Sequence, residues 1–111
     1  MSTLEFSEFA KLDIRIGKVV KAEKVPSSKK LLHLEIDIGG NVRSCVGGIA
    51  EIYNPESLVG KNVAVVTNLK PRTLFGFEST VMLLAAIDKD NQSNISLLMP
   101  DKSVAAGSKV T

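Results

Sequence analysis

Apolar and polar residues alternate along several short segments of this chain, which is the pattern of half-buried β-strands. Residues 12–16 alternate in this way, and residues 32–38 do so most regularly. A Gly-Gly-Asn turn at 39–41 then leads into a third apolar segment, 42–46. Glycine and asparagine tolerate the positive φ that tight hairpins need, so we expect an antiparallel hairpin here.

Glycine and proline predict where these strands are interrupted. Gly17 stands inside the first strand and indicates a bulge or a sharp bend. Residues 54–60 predict one or two helical turns. Asn54 can cap the free amides, Pro55 suits the first helical position and Gly60 suits the end.

Two further apolar strands are predicted at 63–66 and 81–87, and Phe6 and Phe9 can share one face of a helical turn before the first strand. Three strands, a short helix and two strands form the element order of an OB-fold barrel. The sequence therefore predicts an all-β, five-stranded OB-fold barrel with a short helix between strands 3 and 4. At this length it forms a single domain, 1–111.

Composition narrows the class of protein. Hydrophobic residues make up 44% and charged residues 23%, as in ordinary globular domains. No apolar run approaches about 18 residues and the N-terminus has no apolar signal-peptide core, so neither a membrane span nor a signal peptide is expected. A single cysteine, Cys45, fits a cytoplasmic protein. The net charge of +2 allows nucleic-acid binding only if the charges are segregated.

Residues for catalysis or metal binding are scarce. His33 and Cys45 are the one histidine and the one cysteine, whereas zinc sites need three or four ligands. Gly47-Gly48 has no phosphate-loop spacing, and no pair of carboxylates is marked for acid–base work. We therefore expect no enzyme, no catalytic residue, no metal and no cofactor.

The basic loop after the fourth strand is the strongest functional signal. Residues 68–72 (Asn-Leu-Lys-Pro-Arg) combine amide, ammonium and guanidinium groups, and Pro71 stiffens them. Lys30 and Arg43 can add charge to the same surface. Clustered cations bind phosphates, and arginine adds forked hydrogen bonds, so the loop predicts a polyanion site.

Aromatic residues are few, which favours recognition of a folded RNA over generic single-strand binding. Phe75 and Phe77 flank Gly76 and could either stack on bases or cover the barrel end. Both roles stay open at this point.

Several segments together resemble the tRNA-binding domain family. They are, in order, FAKLDIRIGKVV at 9–20, KLL at 30–32, VGGIAEIY at 46–53, PESLVGK at 55–61, NLKPR at 68–72, Ser79 with MLLAA at 82–86, and LMPD at 98–101. The family includes stand-alone dimeric tRNA-binding proteins, the C-terminal or beta-subunit module of methionyl-tRNA synthetase, and the domain of the endothelial monocyte-activating cytokine.

The resemblance implies an OB-fold whose terminal extensions complete a homodimer, and binding to the outer corner of tRNA. Its binding positions carry over to Lys30, Asn68, Lys70, Arg72, Ser79 and Met82, and Arg43 is added because of its charge. The four cations would contact phosphates, and Asn68 and Ser79 would hydrogen-bond backbone or base edges. Met82 would offer an apolar contact, although a core position is equally open for it.

The chain departs from the family pattern at three places. Gly47 stands where a serine is usual, Ser27-Ser28-Lys29 replaces the usual Asn-Ala-Asp/Glu loop, and Thr80-Val81 replaces an acidic residue or glutamine followed by glycine. Valine is less permissive than glycine, so the approach of an RNA backbone at Val81 can differ.

The expected function is a non-catalytic, structure-specific tRNA-binding module. It would be free-standing or the beta subunit of methionyl-tRNA synthetase, with the synthetase catalytic chain as its partner. The same resemblance includes an alternative, a CsaA-type export chaperone that binds unfolded polypeptides.

Overall fold

A computed structural model describes residues 2–111, and Met1 of the expected domain lies outside the described residues. The elements are α1 (Phe6–Phe9), β1 (Ile14–Lys24), β2 (Leu32–Asp37), β3 (Val42–Gly47), α2 (Pro55–Leu58), β4 (Asn62–Val66), β5 (Arg72–Leu74), β6 (Phe77–Ser79), β7 (Met82–Leu83), β8 (Ala85–Ile87), β9 (Ile95–Leu97) and β10 (Lys109–Val110). Over residues 2–111, no helix is long and apolar enough to cross a membrane.

The main sheet is built around β1, which is 11 residues long. Its strands run in the order β3-β2-β1-β4-β7, and all neighbours are antiparallel. Residues 14–18 of β1 pair with β4, and residues 18–24 pair with β2. The C-terminal strand β10 pairs with Ile14 and Arg15. These residues form the start of β1, which does not pair with β2.

Hydrogen bonds between β3 and the segment before β7 bring the two ends of this sheet together. The Thr80 N–H donates to the Ser44 carbonyl at 2.9 Å, and the Val46 N–H donates to Ser79 Oγ at 3.1 Å. The result is a nearly closed barrel of β1, β2, β3, β4 and β7, with α2 between the third and fourth strands. The predicted all-β, OB-like architecture is confirmed.

The barrel interior is filled by alternating aliphatic residues of its strands, as period-two burial requires. On β2 the alternate positions Leu32, Leu34 and Ile36 are fully buried. Leu58 of α2 is buried and packs into the same cluster. Each such side chain stabilises the fold by about 1.5–3 kcal/mol relative to exposure.

Of the two alternatives predicted at Gly17, a bulge or a sharp bend, the bulge is not found at this residue. The register irregularity of β1 lies between Val19 and Lys21. At Gly17 a Cβ atom would instead collide with the Ile36 side chain and lie 3.3 Å from the Asp37 carbonyl oxygen. The glycine leaves room for the Ile36 side chain at the place where β1 changes its pairing from β4 to β2.

The boundaries of α2 agree with the prediction, but its cap does not. Pro55 occupies the first turn, and Gly60, with φ of 91°, follows the helix end. The Asn54 side chain makes no capping hydrogen bond. Its backbone carbonyl instead accepts hydrogen bonds from the Ser57 N–H at 3.0 Å and the Ser57 hydroxyl at 2.7 Å.

The second half of the chain contains more strands than the pattern predicts. The expected strand 81–87 is divided into β7 and β8, and β8 forms a separate hairpin with β9. The loop expected before residue 81 contains the hairpin β5–β6, whose turn is Phe75-Gly76. Strands of three residues are too short to show a period, and Phe-Gly is not a usual turn pair.

Candidate nucleic-acid interface

An open groove of about 300 Å³ lies between the loop after β4 and the hairpin β5–β6. Four predicted site residues line it, namely Lys70, Arg72, Ser79 and Met82. Its other lining residues are Val46, Leu69, Thr80 and Val81. The lining has two cations and no carboxylate, so its local field attracts anions.

Lys70 and Arg72 are the exposed charges of this groove. In the described part of the chain neither forms an ion pair or a side-chain hydrogen bond. Arg72 is fixed by the hairpin, where it pairs with Ser79 across the two strands. Both cations therefore remain available to an anionic ligand.

Strand alternation turns Met82 outward and Val81 inward. Met82 is 47% exposed at the groove, whereas Val81 is 3% exposed and belongs to the core. The thioether therefore provides the groove with an adaptable apolar contact, and the alternative of a core position does not hold.

The Ser79 hydroxyl joins the hairpin to the barrel. Its oxygen accepts a hydrogen bond from the Val46 N–H at 3.1 Å, and it donates to the Val81 carbonyl at 3.2 Å. Ser79 therefore holds the hairpin in position and also lines the groove.

Arg43 is half-buried beside the groove and does not line it. Its Nε donates to Thr80 Oγ1 at 3.1 Å, and its Nη2 donates to the carbonyls of Thr67 at 3.0 Å and Thr80 at 3.1 Å. The guanidinium thus links the end of β4 to the segment that closes the barrel.

Asn68 and Lys30 also lie outside the groove lining. The Asn68 side chain holds the N-terminal segment, since Oδ1 accepts from the Asp13 N–H at 2.9 Å and Nδ2 donates to the Lys11 carbonyl at 2.6 Å. Lys30 is exposed, and its carbonyl accepts the Ala50 N–H at 2.9 Å. The structure thus brings together four of the seven predicted residues.

His33 and Cys45 lie on opposite faces of the sheet. The His33 ring contacts Ser44 Oγ at 2.9 Å and Glu23 Oε1 at 3.2 Å, and stacks on Phe77 at 4.4 Å between centroids. Cys45 is in the core, where burial raises the pKa of its thiol to about 11 and keeps it neutral at pH 7. Over residues 2–111 no group of three or more histidine, cysteine or acidic side chains could hold a metal.

Two of the departures from the family pattern are accommodated by the local packing. Val81 is buried without a positive φ, so a β-branched residue is unstrained there. A Cβ atom at Gly47 would lie only 3.1 Å from Leu83 Cδ1. The absence of a side chain at Gly47 therefore leaves room for the Leu83 side chain. Thr80 supplies a hydroxyl acceptor to Arg43.

Leu69 and Thr80 are groove residues that the sequence alone did not single out. Leu69 lies inside the NLKPR segment and is an exposed leucine, a signal that could have been used. In the sequence Thr80 stands out only as a departure from the family pattern, and its contact with Arg43 is visible only in the structure.

Comparison with protein families finds one match over most of the chain. Residues 14–109 match the model of the family described as "Putative tRNA binding domain". Among curated proteins, the methionine–tRNA ligase of Methanocaldococcus jannaschii is 50% identical over 110 residues, which cover 99% of this chain and 17% of that protein. The methionine–tRNA ligase of Archaeoglobus fulgidus is 53% identical over 107 residues, which cover 96% of this chain and 16% of that protein. The chain thus spans about a sixth of these relatives.

Solved structures agree with this assignment. A MetRS-related protein from Pyrococcus horikoshii superposes with a TM-score of 0.92 at 38% identity, covering 100% of both chains. The chaperone CsaA from Bacillus anthracis superposes with a TM-score of 0.88 at 32% identity, covering 99% of this chain and 100% of that one. The fold, the groove and the match over residues 14–109 show that this chain belongs to the tRNA-binding domain family.

Proposed function

We propose that this chain is a non-catalytic, structure-specific tRNA-binding module whose main contact surface is the groove beside the hairpin β5–β6. One observation carries the proposal: Lys70 and Arg72 are exposed, form no ion pair within residues 2–111, and share a groove without a carboxylate. Phosphate groups are the anions that such a pair attracts, with release of counterions.

Each predicted site residue has a role in this proposal. Lys70, Arg72 and, further along the surface, Lys30 contact phosphates, and Met82 packs against a sugar or base. Ser79 and Asn68 use their remaining hydrogen-bonding capacity on the RNA while they hold the groove and the N-terminal segment. Arg43 acts mainly by supporting the groove, since its guanidinium is engaged inside the protein.

The biological setting is either a free-standing tRNA-binding protein or the beta subunit of a methionyl-tRNA synthetase. In the second setting the chain raises the affinity of a catalytic chain for tRNA and leaves the aminoacylation chemistry to that chain. The similarity to part of two methionine–tRNA ligases supports this setting. A cytoplasmic location follows from it.

We further propose that two copies of the chain associate through the terminal extensions. A second groove of about 370 Å³, mostly apolar, is lined by Ile16, Ala64, Leu98, Met99, Pro100, Val104, Ser108, Lys109 and Val110. Leu98, Met99 and Val104 are exposed there, an apolar surface that a second copy would bury. A two-fold pair would carry two tRNA-binding grooves.

Salt-dependent tRNA binding tests the main proposal. We expect the wild-type protein to bind unfractionated tRNA and to lose affinity steeply as salt rises from about 50 to 200 mM. The double variant Lys70→Ala/Arg72→Ala should bind all tRNAs more weakly, with a salt slope smaller by about two, because two phosphates are no longer neutralised. Lys61→Ala/Lys89→Ala removes the same charge outside the groove and should keep the wild-type slope.

A chaperone of the CsaA type is the second candidate. The 32% identity to the Bacillus anthracis CsaA and the apolar groove near the C-terminus favour it. Negligible tRNA binding at low salt, together with tight binding of a permanently unfolded polypeptide, would replace the tRNA proposal with this one.

A further inference from the structure

Phe75 at the tip of the hairpin β5–β6 is in an unfavourable backbone conformation. Among residues 2–111 it is the one non-glycine residue with positive φ, at 50°, and Gly76 follows with φ of 83°. Two positive φ values are what a two-residue type I′ turn requires, and asparagine, aspartate or glycine normally stands first. A bulky residue in the left-handed region raises the free energy of the folded state.

Packing within the chain does not explain this residue. Phe75 is 57% exposed, so most of its ring faces solvent. Phe77, on the other side of Gly76, is half-buried and stacks on His33. Phe77 therefore packs against His33 on the outer face of the barrel, and of the two aromatic rings only Phe75 is left largely exposed.

The hairpin that carries Phe75 is held firmly against the barrel. The Phe77 ring lies 4.4 Å from the His33 ring between centroids, at an interplanar angle of 30°. His33 is itself fixed by Ser44 and Glu23 on either side. The Ser79 hydroxyl bonds the base of the hairpin to β3. Because the backbone that carries Phe75 is held in place, little backbone entropy is lost when Phe75 binds a ligand.

The hairpin connects this ring to the cationic groove, because the base of the hairpin lines the groove and its tip carries Phe75. Its register pairs Arg72 with Ser79 at the base and Leu74 with Phe77 near the tip. Three residues of strand place Phe75 about 10 Å from Arg72. A flat, exposed aromatic surface beside phosphate-binding cations suits a nucleobase whose backbone those cations hold.

We propose that Phe75 is a stacking platform for one unstacked nucleobase of the bound RNA. The inference rests on the proposed tRNA binding and adds a contact that depends on the base plane, not on charge. Stacking of one base on an aromatic side chain strengthens binding by about 5- to 150-fold. The backbone strain at Phe75 is retained because the ring contributes to binding.

Phe75→Asn tests this inference, because strain and stacking predict opposite effects. Asparagine tolerates the left-handed conformation, so the melting temperature should rise by roughly 4 °C. Affinity for tRNA should fall about 5- to 150-fold with an unchanged salt slope, since the phosphate-binding cations are all still present. Ile87→Asn is the matched control: Ile87 is 61% exposed on β8 and lines no groove named above, so affinity should stay unchanged.

A fluorescence experiment reports the contact directly, because the chain has no tryptophan. Phe75→Trp should keep tRNA affinity, and its emission should be quenched by tRNA, whereas Ile87→Trp should show no quenching. A fully paired RNA duplex offers no splayed base and should not quench Phe75→Trp.

The outcomes separate the two proposals. If the wild-type protein does not bind tRNA at low salt, the proposed function fails. If it binds and Phe75→Asn binds equally well, only the stacking inference fails. A lower melting temperature for Phe75→Asn, a change in its oligomeric mass, or equal quenching of Phe75→Trp by an unfolded polypeptide would also overturn it, because the ring would then serve packing, assembly or polypeptide binding.

Discussion

Arg43 lies beside the proposed binding groove, and its charged side chain is engaged in contacts inside the protein. Its side chain donates to the carbonyls of Thr67 and Thr80 and to the Thr80 hydroxyl, which come from different segments of the barrel. Ser79 and Asn68 likewise have partners within the protein. At the residue scale, therefore, two groups can be distinguished. Lys70 and Arg72 form no ion pair within residues 2–111, whereas Arg43, Ser79 and Asn68 form hydrogen bonds inside the protein.

Arg43→Lys is expected to lower stability while keeping the charge. A lysine ammonium cannot reproduce the fork that reaches Thr67 and Thr80, so the free energy of unfolding should fall by about 1–2 kcal/mol. Urea denaturation measures this. Arg72→Lys, at an exposed position, should stay within about 0.5 kcal/mol of the wild type. Unchanged stability of Arg43→Lys, together with a smaller salt slope for Arg43→Ala, would instead indicate a phosphate contact.

At the scale of elements, β1 determines the shape of the barrel because it is shared by both halves of the sheet. Gly17 lies where β1 passes from its pairing with β4 to its pairing with β2. The close approach of Ile36, Ile38 and the Asp37 backbone leaves no room for a side chain there.

Gly17→Ala should destabilise the protein by roughly 1–3 kcal/mol, the usual cost of overpacking a core. Gly48→Ala is the matched control, because a Cβ atom there has nothing within 4 Å and the residue has no positive φ. It should leave the urea midpoint nearly unchanged. Equal midpoints for the two variants would mean that the strands can move apart at Gly17 at little cost.

At the scale of the whole molecule, the terminal segments close the fold and line an apolar surface groove. β10 pairs with β1, and the Gly107 N–H donates to the Ile16 carbonyl at 2.7 Å. Residues 98–104 leave leucine, methionine and valine side chains exposed beside these strands. The groove lies apart from the cationic one, so assembly and RNA binding can be tested separately.

Met99→Asp is expected to convert a dimer into a monomer. By two-fold symmetry the interface would bury two unpaired carboxylates, which should weaken association by at least about 100-fold. Analytical ultracentrifugation measures the mass, and Ile87→Asp serves as an exposed control that should remain dimeric. A wild-type protein that is already monomeric would contradict the proposed assembly.

Much of the fold was predictable because it depends on local patterns. Alternation on residues 32–38 predicts β2, and the glycines at 39 and 40 predict its turn, with φ of 88° and 116°. Pro55 and Gly60 likewise mark the ends of α2. The hairpin β5–β6 was missed because strands of three residues carry no readable period and Phe75 is an unusual turn residue.

The proposed binding site was likewise predictable only in part. Residue type and order along the chain were enough to single out Lys70 and Arg72, because a stiff basic loop between apolar strands indicates an anion site in any fold. Tertiary structure alone decided that Arg43 is held internally, that Gly17 has no room for a side chain, and that Phe77 is packed while Phe75 is exposed. Those outcomes depend on contacts between residues distant in sequence, which local patterns of polarity do not encode.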